Sequence, residues 1–408
     1  MKAILPKIKF KNFYEKWNRK KLQSIAPLRG GFAFKSEKFQ NSGIPIVRIS
    51  NIKFDGTVGG EFKYYSKINS DEKFVLRGRS ILLAMSGATT GKIAMLDSEE
   101  EYYQNQRVGY FQNTGAVNYD FLSSVLQTKE FTNQLNSVLV AGAQPNISSK
   151  EIDSFIFYIP ESLNEQSAIG SLFRILDDLL ASYKDNLANY QSLKATMLTK
   201  IFPKAGQTVP EIRLDGFEGE WKKAKLKDVA HRVQGNDGRM DLPTLTISAS
   251  GGWMNQIERF SANIAGKEQK NYTLLKKGEL SYNHGNSKLA KYGVVFELKE
   301  YEEALVPKVY HSFRVNQLAD AKFIEIMFST KIPDRELGKL VSSGARMDGL
   351  LNISFDDFMN IAIIIPTIAE QQAIGSYFSN LDNLINSHQE KISQLETLKK
   401  KLLQDMFI

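Results

Sequence analysis

Two stretches of this 408-residue chain interleave polar and basic side chains with aromatics. In the first, residues 27–145, Arg48 and Asn51 lie in PIVRISNIKFDG (45–56). Arg79, Ser86, Thr89, Thr90 and Lys92 lie in LRGRSILLAMSGATTGK (76–92), and Asn105, Gln106 and Arg107 in YYQNQRVGYF (102–111). In the second, residues 231–351, Asn271, Tyr272, Asn283, His284, Asn286, Ser287, Lys288 and Lys291 lie in KNYTLLKKGELSYNHGNSKLAKYG (270–293), with Arg346 in SSGARMD (342–348). These residue types hydrogen-bond base edges and phosphate oxygens. For any one of them alone a solvated loop is the commoner setting. Their clustering near glycine-containing turns in both halves marks the set as candidate DNA contacts.

Catalytic patterns are missing from the same stretches. There is no cysteine, which removes disulfides, thiolate metal sites and a thiol nucleophile. His231, His284, His311 and His388 are scattered without ligand spacing. SGATTGKIAM (86–95) resembles a phosphate-binding loop but leaves three residues between its glycines instead of four. It also places Ile93 where a magnesium-binding Ser or Thr belongs. We therefore read it as a glycine-rich turn between strands. No GxSxG, HExxH, amino-methyltransferase loop or dinucleotide fingerprint occurs. Binding is favoured over catalysis, and no metal site is expected.

The formal charge of +8 favours a polyanionic partner. The N-terminal segment is interrupted by lysines and lacks an apolar signal region, and the longest aliphatic run, IAIIIP (361–366), is too short to span a bilayer. A cytoplasmic protein without a membrane partner is the expectation.

These candidates sit inside a frame written twice. EQSAIGSLFRILD (165–177) returns as EQQAIGSYFSNLD (370–382) at an offset of 205. NISSKEIDSFIFYIP (146–160) answers NISFDDFMNIAIIIP (352–366), each with a serine followed three residues later by an acid, which predicts a capped helix start. The openings match too: Trp17 answers Trp221 and Leu22 answers Leu226. The bodies between show far less likeness. A conserved frame with divergent middles fits one task performed twice on different targets.

After each repeated phrase the apolar residues recur every seven. Ile169, Leu176, Tyr183, Tyr190 and Met197 correspond to Ile374, Leu381, His388, Leu395 and Leu402. Leu172, Phe173, Leu179, Leu180, Leu187, Leu193 and Ile201 flank the first seam, with Tyr377, Phe378, Leu384, Ile385, Ile392, Leu398 and Met406 beside the second. The pattern predicts two helices of roughly 55 Å. The short link after Pro203 reaches too little distance for parallel packing, so an antiparallel pair is expected. It should bring the C-terminal end beside the opening segment. His388, in a heptad slot, reads as a packed or bonded histidine.

Taken together, the doubled EQxAIGSxF phrase, the preceding IP, the F…W openings, SGATTGK, NQRVG, KKGELSYNHGNSK and ALVPKVYHSF resemble the specificity subunits of type I restriction–modification systems. One departure is RGRSIL (77–82), where an acid usually follows the glycine; the second body keeps it as Glu279. The resemblance implies an α+β protein: two mixed α/β target-recognition domains joined by two long antiparallel, coiled-coil-like helices in a pseudo-two-fold repeat. Its bounds would be recognition domains at 1–160 and 204–366 and helical spacers at 161–203 and 367–408. It further implies double-stranded DNA as ligand, each domain reading half of a bipartite site. Two modification (methyltransferase) subunits would dock on helical positions such as Ile169, Phe173, Leu176, Leu180, Tyr183, Ile374, Phe378, Leu381, Ile385 and His388. Restriction subunits would join them. This chain would carry no catalytic residue or cofactor, S-adenosylmethionine, ATP and Mg2+ belonging to the partners. A stand-alone DNA-binding or DNA-modifying protein and a DNA-free coiled-coil scaffold are the alternatives.

Overall fold

The computed structural model describes residues 6–68, 73–140, 146–260, 266–285, 287–341 and 350–408. The chain forms two compact units. Unit 1 combines residues up to Asp185 with Gln389–Ile408, and unit 2 is Asn186–His388. The division falls partway along each of two 38-residue helices, Leu163–Lys200 and Ile368–Asp405.

Unit 1 holds two four-stranded sheets. The first runs Leu28–Arg29, Val108–Phe111, Ser80–Ala84, Ile93–Leu96, all antiparallel. Ser80–Ala84 is buried at every residue, which is why SILLA reads as a continuous run without alternation. The second sheet orders Lys63–Tyr65, Ile44–Val47, Tyr102–Gln104 and Val75–Leu76, with Ile44–Val47 parallel to Tyr102–Gln104. Phe34, Tyr65, Phe74 and Tyr103 pack together in its core.

Unit 2 repeats the first sheet in order and sense: Ala230–Arg232, His311–Val315, Leu280–Asn283, Val294–Glu297. Phe313 faces Leu280 as Phe111 faces Ile81. The second sheet has no four-stranded counterpart. Two ribbons take its place, Leu245–Ser248 with Gly252–Asn255 and Thr273–Lys276 with Glu303–Val306. The bodies thus diverge in fold as well as sequence.

The repeated phrases build the same joints in both units. Asn18–Lys21 pairs with Ile156–Ile159, and Lys222–Lys225 with Ala362–Ile365. Ser148 and Ser354 cap the short helices Ser149–Asp153 and Phe355–Met359, accepting from the amides of Glu151 and Asp357. Buried Glu165 accepts from Trp17 Nε1 at 3.1 Å, and buried Glu370 from Trp221 Nε1 at 3.3 Å. Gln166 accepts from the Asn118 amide and donates to the Pro160 carbonyl, both at 2.8 Å. Gln371 accepts from the Asp320 amide and donates to the Pro366 carbonyl, both at 3.0 Å. Asn118 and Asp320 are themselves N-caps of the helices Tyr119–Val125 and Ala321–Ser329. Gly170 lets the first of these caps approach: a Cβ there would lie 2.5 Å from the Phe121 amide nitrogen. The thirteen-residue phrase is therefore a docking joint between a long helix and the start of a short one.

Helix direction is set inside each unit. In unit 1 Asp177 pairs with Lys399 and Lys184 with Glu396, so residues rise on one helix as they fall on the other. In unit 2 the Tyr190 ring meets His388 at 5.2 Å and Lys194 pairs with Asp382. Both crossings are antiparallel, as the link length requires. His388 also bonds the Leu384 carbonyl through Nδ1 at 2.9 Å. The expected closure of unit 1 is present: the Ile8 amide donates to Asp405 O at 2.9 Å, and Phe407 packs on Trp17, Phe121 and Phe173.

The apolar seam is narrower than the heptads suggest. Leu179, Leu193, Leu384 and Leu398 are 40–45% exposed, at matching positions of the two copies. Two helices in contact cover one stripe of each, which leaves the flanking leucines outside it.

Candidate nucleic-acid interface

In unit 1 three loops leave one end of the sheets: Arg48–Gly60, Met85–Lys92 and Asn105–Arg107. Backbone bonds join them. Asn105 N donates to Val47 O at 3.1 Å, Met85 N to Arg107 O at 2.9 Å, and Met95 N to Gly56 O at 2.9 Å. Thr89 Oγ1 donates to Ile49 O at 3.3 Å. The Ile147 amide, from the start of the capped-helix segment, bonds Met85 O at 2.9 Å. The Gly-rich stretch is a turn between strands, as its spacing indicated.

Within this surface the candidate side chains divide by burial. Asn51 is 1% exposed, and its amide is fully engaged by Arg48 N, Gly59 O and Glu61 O. Arg79 is ion-paired with Asp120 and Asp97. Asn51 is a scaffold residue whose side-chain amide is already committed, and Arg79 is held by carboxylates of its own unit, Nη1 bonding Asp120, so neither offers a free side chain as the candidate contacts require. Arg48 and Ser86 are half-buried; Ser86 Oγ has no partner among the described residues. Thr90 Oγ1 returns to Gly87 O at 2.6 Å, tightening its own loop. Asn105 Oδ1 accepts from Arg107 N at 3.1 Å, and its carbonyl accepts from Val108 N at 2.9 Å. Asn105 thereby folds the turn that presents Gln106 and Arg107, both exposed. Lys92 lies with Nζ 4.3 Å from the centroid of Phe54, a ring 78% exposed that the choice of polar residues passed over. Its position directly before Asp55-Gly56 is a turn-tip signal.

Unit 2 offers the corresponding face. The strand Leu280–Asn283 leads into the loop His284–Gly293. Asn283 is scaffold: its amide donates to Ile247 O and accepts from Gly285 N, both at 3.1 Å. His284, 5% exposed, is also internal. Its Nδ1 lies 2.7 Å from Leu351 O and its Nε2 2.9 Å from Val309 O. Its ring stacks on His311 at 4.7 Å. Burial, aided by His284 and Arg232, pushes His311 down to about 4, with its Nε2 bond to Ile353 O opposing. These corrections share one cause: the strand end must satisfy its neighbours' backbone groups before any ligand.

Ser287 bonds Ala290 on both sides of its turn, through its amide and its hydroxyl. Asn271 donates to Glu268 at 2.7 Å, and half-buried Tyr272 accepts from Gln256 at 3.5 Å. Lys288, Leu289 and Lys291 face outward, Lys291 over Tyr292. Asn286 and Arg346 lie outside the described residues. Among the described residues Lys92, Arg107, Lys288 and Lys291 make no ion pair, so their charge is open to an anionic ligand.

The helical candidates divide by burial between packing residues and residues a partner could reach. Ile169, Phe173 and Leu176 lie in the core of unit 1, and Ile374, Phe378 and Leu381 in that of unit 2. Leu180 is buried, while Tyr183, Ile385 and His388 are half-buried. The six core residues are therefore closed to a docking partner, while Leu179, Leu193, Leu384 and Leu398 stand open at matching positions, with Leu163, Ile175 and Ile368 also exposed.

The described residues thus present one frame built twice, with a loop face and basic side chains on each copy. The family model for the type I restriction modification DNA specificity domain matches residues 14–189 and 218–397, and the chain belongs to this family. It is 28% identical over 174 residues to the type I restriction enzyme MjaVIII specificity subunit of Methanocaldococcus jannaschii, covering 41% of this chain and 40% of that one. It is 30% identical over 165 residues to the EcoAI specificity subunit of Escherichia coli, covering 38% and 28%. These alignments thus take in less than half of either relative. The fold is similar to the crystal structure of the type-I restriction-modification system S subunit from M. genitalium, with a TM-score of 0.61, 14% identity and 99% of both chains covered. Among the described residues no helix is long and apolar enough to cross a membrane.

Proposed function

We propose that the chain is the DNA-recognition subunit of a type I restriction–modification complex. Each unit reads one half of a bipartite duplex site, and the two long helices set the gap. The observation that carries this reading is the pair of equivalent loop faces. Met85 and His284 occupy the same place in the repeated sheet, and both bond the turn at Arg107 or Val309. On that shared scaffold the outward side chains differ: Gln106, Arg107 and Lys92 on one face, Lys288, Leu289 and Lys291 on the other. A common support with unlike side chains suits two unlike half-sites.

Two modification subunits, with restriction subunits beside them, complete the proposed assembly. The methyl donor, ATP and Mg2+ reside on those partners, and this chain is non-catalytic. The exposed leucines at matching positions of the two helices suit a docked apolar partner better than the buried residues named from sequence. The complex works on cytoplasmic DNA.

Methylome sequencing of a host expressing the complex tests the reading by revealing a split motif. A seven-residue insertion in either helix should lengthen the unspecified gap and leave both half-sites unchanged. Methylation without a split motif, or an unaltered gap after insertion, would overturn it.

A further inference from the structure

We propose that Phe54 is the apolar base contact of unit 1, its ring seated against the C5-methyl group of a thymine in the major groove. The inference rests on the DNA-reading function above and names a contact within it. Phe54 is 78% exposed on a turn that is firmly built. Lys53 N donates to Thr57 O at 3.0 Å, and Asp55 Oδ1 accepts from Thr57 N at 2.9 Å and Thr57 Oγ1 at 2.7 Å. Gly56, at φ 84°, supplies the left-handed residue of the turn, and its carbonyl ties the tip to Met95. The ring thus projects from an ordered support without serving the core.

Its neighbours select the ligand. Lys92 Nζ sits over the ring, and the loop that carries Lys92 bonds both Ile49 and the Arg107 turn. An apolar ring beside the unpaired cation Lys92 fits a surface with phosphates at its rim and a methyl on its floor. The major groove has this composition wherever a thymine occurs. Unit 2 offers the same chemistry on its own loop, where Leu289 is 64% exposed between Lys288 and Lys291.

The test uses the full chain on duplexes carrying the methylome-derived site. Each thymine of the half-site read by unit 1 is replaced singly by deoxyuridine, which lacks only the methyl group. Wild type should lose about fourfold in affinity at one position, the factor one buried methyl supplies. Phe54→Ala should bind thymine and uracil duplexes alike at that position, and Phe54→Leu should fall between. Full thymine dependence in Phe54→Ala would overturn the proposal. So would an equal loss on cognate and unrelated DNA, or unchanged DNA binding with a loss of partner assembly. A wild-type chain that fails to prefer its site over a scrambled duplex would overturn the DNA-reading function itself. Normal discrimination with an unaltered Phe54→Ala profile would sink only the Phe54 contact.

Discussion

Arg213 clasps Glu370 through two bonds, Nε to Oε1 at 2.8 Å and Nη2 to Oε2 at 2.7 Å. The equivalent acid in unit 1, Glu165, keeps only the tryptophan bond, and its Oε2 has no partner among the described residues. Lys9 occupies the place of Arg213 in the repeat, but its amine lies over the Tyr14 ring at 5.3 Å and acts on the carboxylate only as a charge at a distance. Burial accordingly pushes the Glu165 carboxyl up, with the Trp17 bond opposing. One sequence motif thus gives a satisfied joint in unit 2 and an under-satisfied one in unit 1.

Removing the clasp should be felt in unit 2. Glu370 is 1% exposed, so Arg213→Ala leaves a buried carboxylate short of its cation and costs about 3 kcal/mol. Lys9→Ala should change little, because its amine holds no bond to the acid. Urea unfolding followed by tryptophan fluorescence separates the outcomes; equal losses in the two variants would refute the asymmetry.

The reciprocal pairs Asp177–Lys399 and Lys194–Asp382 are partly exposed. Asp177→Lys should cost about 1 kcal/mol, and adding Lys399→Asp should recover most of it. Absence of coupling in that double-mutant cycle would show that the pair only decorates the helix crossing.

Gly170→Ala and Gly375→Ala should differ in sign. A Cβ at Gly170 meets backbone, 2.5 Å from Phe121 N, which cannot yield without moving the helix start. At Gly375 it meets Asp320 Oδ1 and the Lys322 stem at 3.3–3.5 Å, which a shift of a few tenths of an ångström accommodates. Alanine gains about 1 kcal/mol of helix propensity at either site. Unit 1 should lose stability while unit 2 holds or gains; thermal melts of the two variants check this.

His311 makes unit 2 acid-sensitive. Its folded value of about 4 lies below the usual 6.5, so between them the unfolded chain binds a proton that the folded one refuses. The contribution is fully present well above pH 6.5 and is lost as pH falls toward 4, amounting to about 1.5 kcal/mol between pH 6.5 and 5. His284, Arg232 and the Ile353 carbonyl face the ring. His311→Gln should flatten this part of the pH profile of unfolding.

The frame was readable because its signals are local or repeated. Ser148 with Glu151, and the heptads from Ile169, announce themselves by spacing. The purpose of Gln166 was hidden, since its partners Asn118 and Pro160 are fixed only by tertiary packing. The same limit governs the candidate contacts. Asn51 and Gln106 are alike in chemistry, yet one is sealed under Gly59 and Glu61 and the other stands in solvent. Composition names residues able to touch a base; burial, set by distant strands, decides which are free to do so. Phe54 is illegible for the opposite reason: an apolar residue reads as core unless the turn beneath it is known.

Phe407 and Met406 belong to the core of unit 1, whose other members begin at Trp17. A ribosome makes nearly four hundred residues between the first and last parts of that core. The N-terminal unit therefore waits, incompletely sealed, while the whole of unit 2 is synthesised. Ribosome-stalled chains ending before Gln389 should leave Trp17 and Phe121 open to proteases and chaperones, and finishing the chain should close them.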